Sequence, residues 1–118
     1  MNLEQLKRTE ALAKNLKTII PAAHKDAFTV HRAIPIIDDA IEAAFEHGKL
    51  IYLSDYILSQ PEGARDDKTL LSIQGRLKMF QGRMEAASEI ENKLSGIALN
   101  FNIEREAKAA GAINPGIV

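Results

Sequence analysis

The chain has 118 residues, 46% of them apolar and 26% charged, which fits one domain with a modest core and argues against intrinsic disorder. Fifteen Lys and Arg against sixteen Asp and Glu leave a net charge of −1, so no global basic field recommends nucleic acid or an anionic membrane as the default partner. The absence of cysteine excludes disulfides, thiolate metal sites and a cysteine nucleophile.

Charge is regional. Residues 1–32 hold six Lys/Arg and three Asp/Glu, residues 33–67 two and eight, and residues 68–118 seven and five. A basic first segment packing along an acidic middle, in its own or another chain, is the simplest account. The opening MNLEQLKRTE carries charges and amides where a secretory signal needs an apolar stretch, and no run approaches the ~20 apolar residues that span a bilayer. The expected location is the cytoplasm, or a particle assembled there, with no membrane partner.

In chain order, Leu6, Leu12, Ala13, Leu16, Ile19 and Ile20 fall on one side of a helical wheel opposite Glu4, Lys7, Glu10, Lys14 and Lys17. This pattern predicts an amphipathic helix over about 3–20. Pro21 ends it, and residues 21–33 read as a connector. Pro35 suits the first turn of a second helix, about 35–47, with Ile37, Ala40, Ile41, Ala44 and Phe45 as its apolar stripe and Asp38, Glu42 and Glu46 opposite. At His47-Gly48 the pattern loses phase, which predicts a glycine stop and a third helix over about 49–59. LIYLSDYIL has strand-favouring residues, but a lone strand has no partner.

SQPEGAR at 59–65 is the clearest loop. After a cap at Asp66 or Asp67, apolar residues recur every seven positions: Leu70, Leu77, Met84 and Ala98 on one track, Ile73, Phe80, Ala87, Leu94 and Phe101 on the other, with Glu91 the single break. A strict seven-residue period implies left-handed supercoiling against a partner helix. A helix continuous over 67–110 would be about 65 Å long at 1.5 Å per residue, against the ~26 Å diameter of a compact domain this size. The expectation is therefore a break near Gly96, giving helices over about 66–95 and 97–110, or projection into an oligomer. GAINPGIV at 111–118 predicts an extended arm.

These readings give an all-α fold: a small helical bundle, residues 1–110, with a long heptad-patterned helix and a carboxy-terminal arm. The duplicated Gln74-Gly75-Arg76 and Gln81-Gly82-Arg83 set Gly75 and Gly82 opposite the seam, where close approach of another helix is the expected use. Arg76 and Arg83 flank the seam and suit interhelical ion pairs.

No constellation points to chemistry. Asp38, Glu42 and Glu46 share a face with His47 nearby, but Ala44 stands where a helical Glu-x-x-His metal pair needs its Glu, and the loop pattern of an EF-hand is missing. His24 and His31 sit in no zinc-ligand frame, and neither a nucleophile elbow nor a phosphate-binding glycine loop occurs. No catalytic, cofactor-binding or metal residue is assigned, and no cofactor is expected.

The preferred functional reading is a non-enzymatic, self-assembling helical subunit of a larger particle or complex, with virion components as an analogy only. Its partners are itself and another protein of the assembly. Its oligomer interface is Leu70, Ile73, Leu77, Phe80, Met84, Ala87, Leu94 and Phe101, and Ile113, Pro115, Ile117 and Val118 form a partner-binding arm. The alternatives are a regulatory or inhibitory module presenting the acidic face of 38–46, and an oligomeric nucleic-acid-binding accessory protein using Lys7, Arg8, Lys14 and Lys17. The last is disfavoured by charge.

Overall fold

The computed structural model describes residues 1–113, with side-chain surroundings through Asn102. Three helices follow one another: α1, Leu3–Ile19; α2, Ala27–Leu58; and α3, Asp67–Ile113. A short 3-10 turn, Glu62–Ala64, lies between the last two. There is no strand among the described residues, and the chain is an all-α helical bundle.

α1 starts on a capping box. The Asn2 side chain accepts from the Gln5 backbone at 2.8 Å, and Gln5 Oε1 accepts from the Asn2 backbone at 2.9 Å, satisfying two amides that helix geometry leaves without partners. The helix ends at Ile19, and Ile20 is extended (φ −77°, ψ 124°), as a residue before proline prefers. Its buried face, Leu6, Thr9, Ala13 and Leu16, follows the predicted stripe, and the Thr9 hydroxyl donates to the Gln5 carbonyl at 2.9 Å.

α2 departs from expectation at both of its anticipated boundaries. It begins at Ala27, inside the expected connector, so that Pro35 lies within the helix, on its exposed side. It also runs through Gly48 without interruption, so the two helices expected over 35–47 and 49–59 are one. The apparent loss of phase arises because the amino-terminal half of α2 meets two neighbours. There Ile37, Ala40, Ile41, Ala43 and Ala44 make a wide inward face that packs in clusters with both α1 and α3, whereas beyond Gly48 only Leu50, Ser54 and Ile57 are buried, toward α3. Phe45, assigned to the apolar stripe, is instead half exposed.

α3 is capped by Asp66, which accepts from the Thr69 backbone at 3.0 Å and from its hydroxyl at 2.6 Å. These two donors hold the Asp66 carboxyl below its ordinary range. The helix continues unbroken through Gly96 to Ile113, so the expected interruption is not present, and helix rather than arm occupies 111–113. The rest of the expected arm lies outside the described residues.

The resulting body is a rod of 82 × 22 × 17 Å with a radius of gyration of 21.4 Å, against about 13 Å for a compact chain of this length. α2, about 48 Å long at 1.5 Å per residue, forms an antiparallel hairpin with the longer α3. Leu6 packs with Ala40, Ala43, Met84 and Ala87, whereas Leu16 and Ile20 pack with Val30, Ala33 and Leu94. α1 therefore lies antiparallel to α2 and parallel to α3, and it covers only one half of the hairpin. The Met1 amino group meets Glu85 at 3.1 Å, and beyond that level the rod is two helices wide.

Candidate functional site

The heptad seam finds its partner inside the chain. Ile73, Phe80, Met84, Ala87 and Leu94 are buried, Leu70, Leu77 and Phe101 half-buried, all against α2 and α1 of the same molecule. The side chains expected to join separate copies are thus committed to the intramolecular core, because the acidic, alanine-rich segment that reads as a short polar-faced helix is part of a 32-residue helix that lies along the heptad tracks of α3. Glu91, the break in the seam, lines a cleft between α1 and α3 with Gln5, Arg8, Thr9 and Leu12, a mostly polar setting.

Gly75 and Gly82 do not support close packing within the chain: a Cβ built on either meets no atom within 4 Å. Helices α1 and α2 both lie on the other side of α3. Ile113 closes α3, its side chain outside the described region, and Pro115, Ile117 and Val118 of the expected docking arm lie beyond the described residues.

Arg83 makes the interhelical ion pair anticipated for the two flanking arginines. Its Nε donates to Asp39 Oδ2 at 3.1 Å and its Nη2 to Asp39 Oδ1, a two-pronged bond across the α2–α3 seam, while its guanidinium lies 5.5 Å from the Phe80 ring centre. This donation holds the Asp39 carboxyl below its usual range, against the opposing effect of burial, and raises the Arg83 guanidinium in turn.

His24 works in the connector. Its Nδ1 accepts from the Asp26 backbone at 3.1 Å and lies 3.7 Å from the Asp26 carboxylate, and its ring meets the Phe101 ring edge-on at 5.8 Å. The turn between α1 and α2 is thereby seated on α3. Among the described residues, no three His, Asp or Glu side chains gather where they could hold a metal ion, and no helix is long and apolar enough to cross a membrane.

What the structure adds is an uncovered apolar surface. Of the eleven large apolar side chains exposed among the described residues, seven lie from Ile51 to Met79, the part of the hairpin that α1 does not reach. Tyr52 is 79% exposed, Leu71 71% and Tyr56 61%. In LIYLSDYIL only Leu50, Ser54 and Ile57 turn inward. The sequence reading of that segment as a helix over 49–59 left its exposure open, because the shortness of α1 relative to the hairpin cannot be read from local pattern. At the other end, Phe28 is 67% exposed, with Arg32 5.4 Å from its ring centre, and it borders two open grooves lined also by Lys17, His31 and Lys93. Comparison with protein-family models, with curated proteins and with solved structures finds no match.

Proposed function

We propose that the chain is a non-enzymatic, self-associating helical subunit of a larger assembly, in the cytoplasm or a particle built there. The observation that carries this reading is the concentration of exposed apolar side chains on the two-helix half of the rod. Exposed apolar side chains in this number are what oligomer and partner contacts remove from water, and aromatic residues such as Tyr52 and Tyr56 are the types enriched at interface centres. A rod also offers far more side surface per residue than a sphere, which suits lateral contacts with several neighbours.

The test is the mass of the purified full-length chain by light scattering over a hundredfold concentration range. A multiple of the 13.0 kDa protomer that persists on dilution is the expected result. A monomer throughout, with Tyr52 and Tyr56 fully solvated, overturns the reading and leaves the regulatory module as the better account. That second reading draws on exposed Asp38 and Glu42, which face outward from α2 and would meet a basic partner with strong salt dependence.

A further inference from the structure

The groove that seats α1 continues past α1. Val30, Ile37, Ala44, Ile51 and Leu58 recur every seven residues along α2, all apolar, a spacing that keeps one angle to the neighbouring α3. Val30, Ile37 and Ala44 pack in the clusters that hold Leu6, Ala13 and Leu16 of α1. Exposure along this track rises from 1% at Val30 and 0% at Ile37 to 41% at Ile51 and 47% at Leu58, because the rod is two helices wide beyond the ion pair of Met1 and Glu85. The opposite wall behaves in the same way: on α3 Met84 is buried, whereas Leu77 and Leu70, one and two heptads before it, are half-buried at the edge of the core. An opening of about 360 Å³ next to Met1, lined by His47, Gly48 and Gln81, begins the uncovered run. From Gly48 to Leu58 that run is about 15 Å long at 1.5 Å per residue, room for some three turns of helix.

We propose that the carboxy-terminal end of α3 from a second copy fills this run, joining copies head to tail. The joint rests on the self-association reading above and specifies its contact. Two features of α3 select it as the occupant. It continues past Phe101, where the turn between α1 and α2 sits on it through His24, as far as Ile113, which is about 18 Å of further helix and matches the length of the uncovered run. Its direction also fits. α1 runs parallel to α3, so a copy stacked beyond the 59–65 loop in the same orientation sends its α3 end down the groove in line with α1, toward Met1. The third position of the bundle is thereby continued with the polarity it already has. In sequence, Ile103, Ala107 and Ala110 keep the spacing of one helix face and are small, as are Leu6, Thr9 and Ala13, the residues through which α1 occupies the same groove. The α1 of a second copy is already committed to its own hairpin. Donor and acceptor surfaces differ, so the contact is heterologous and repeats from copy to copy along the rod axis.

Sedimentation velocity of the full chain tests this with two variants, alone and mixed. Ile51→Glu sets a charge in the groove, and Ala110→Glu sets one on the entering helix. Each alone should raise the dissociation constant of self-association by roughly tenfold or more, since every copy then lacks one of the two surfaces. Mixed in equal amounts, the two variants keep one intact groove and one intact helix end between them, and should form a 1:1 dimer that grows no further, with an affinity within about threefold of the parent joint. Far-UV dichroism and melting check that both variants keep the fold, and Leu58→Glu, at the more exposed position of the track, replaces Ile51→Glu if that variant melts early. Association that survives either variant alone overturns the head-to-tail joint while leaving self-assembly through another surface. A mixture that stays monomeric, or a parent that stops at two copies, overturns the joint as well. A parent chain that is monomeric at every concentration sinks both this joint and the assembly reading.

Discussion

Leu94 lies in a cluster where all three helices meet, and its truncation gives a sharp check on the packing described above. It is fully buried and packs in a cluster with Leu16, Val30, Ala33 and Ile37. Complete burial of a leucine contributes about 1.5–3 kcal/mol, and cutting it to alanine adds the cost of an incompletely collapsed cavity, for a total of about 2–5 kcal/mol. The neighbours from α2 include alanine and β-branched residues, which have little freedom to swing into the space. We therefore expect Leu94→Ala to cost about 3–4 kcal/mol, which for a chain of this size lowers Tm by roughly 10–20 °C. Leu71→Ala removes the same atoms from a site that is 71% exposed and should cost no more than about 0.5 kcal/mol. Urea denaturation followed by far-UV dichroism, at a concentration low enough to dissociate copies, measures both. A Leu71 variant as damaged as the Leu94 variant, or a Leu94 variant indistinguishable from the parent, would refute an intramolecular core built on this face of α3.

Three further outcomes follow from local geometry. Gly75→Ala and Gly82→Ala, each placing a methyl in open space on an exposed helix face, should each stabilise the protomer by roughly 0.5–1 kcal/mol; a loss of stability would reveal an unseen neighbour at that face. Pro35→Ala restores the amide that α2 lacks at that level and should raise stability by about 2 kcal/mol, net of the greater freedom of the unfolded chain; a lower Tm would show that the helix does not continue through position 35. Asp39 has a depressed folded-state pKa, so its pair with Arg83 stabilises the protein above the unfolded carboxylate range near about pH 3.9 and is lost as pH falls through the folded value. Asp39→Asn should therefore lower stability modestly at pH 7 and flatten the acid limb of a stability-against-pH curve, and an unchanged acid limb would contradict the pairing.

Much of the architecture was legible in the residues themselves. The α1 stripe, the 59–65 loop, the Asp66 cap and the heptad tracks of α3 all rest on local periodicity and capping chemistry, and each sits where the pattern put it. Two things needed the third dimension. Gly48 reads as a stop because Ile37 and Ala44 belong to a wide face that meets both α1 and α3 while Leu50 and Ile57 answer to α3, and a single-stripe reading cannot separate two neighbours. A heptad track announces that a partner helix exists but does not say whose chain supplies it. Alanines at 33, 40 and 43 gave a weak amphipathic signal, although small residues are what lets α3 lie close against α2. The exposed aromatics at 52 and 56 were visible as composition, but their exposure follows from where α1 begins, a fact about relative helix lengths.

The mismatch in helix lengths also divides the rod energetically. Residues around Leu16, Val30 and Leu94 are locked by three mutually supporting strands of chain, whereas those from Leu50 to Leu77 depend on a single pairwise contact that ends in a loop. Amide hydrogens in the doubly wrapped section should exchange only through global unfolding, and those toward the loop through smaller openings of lower free energy. Docking a neighbour over the looser section would remove that distinction, so protection gained there on raising the protein concentration reports assembly directly, residue by residue.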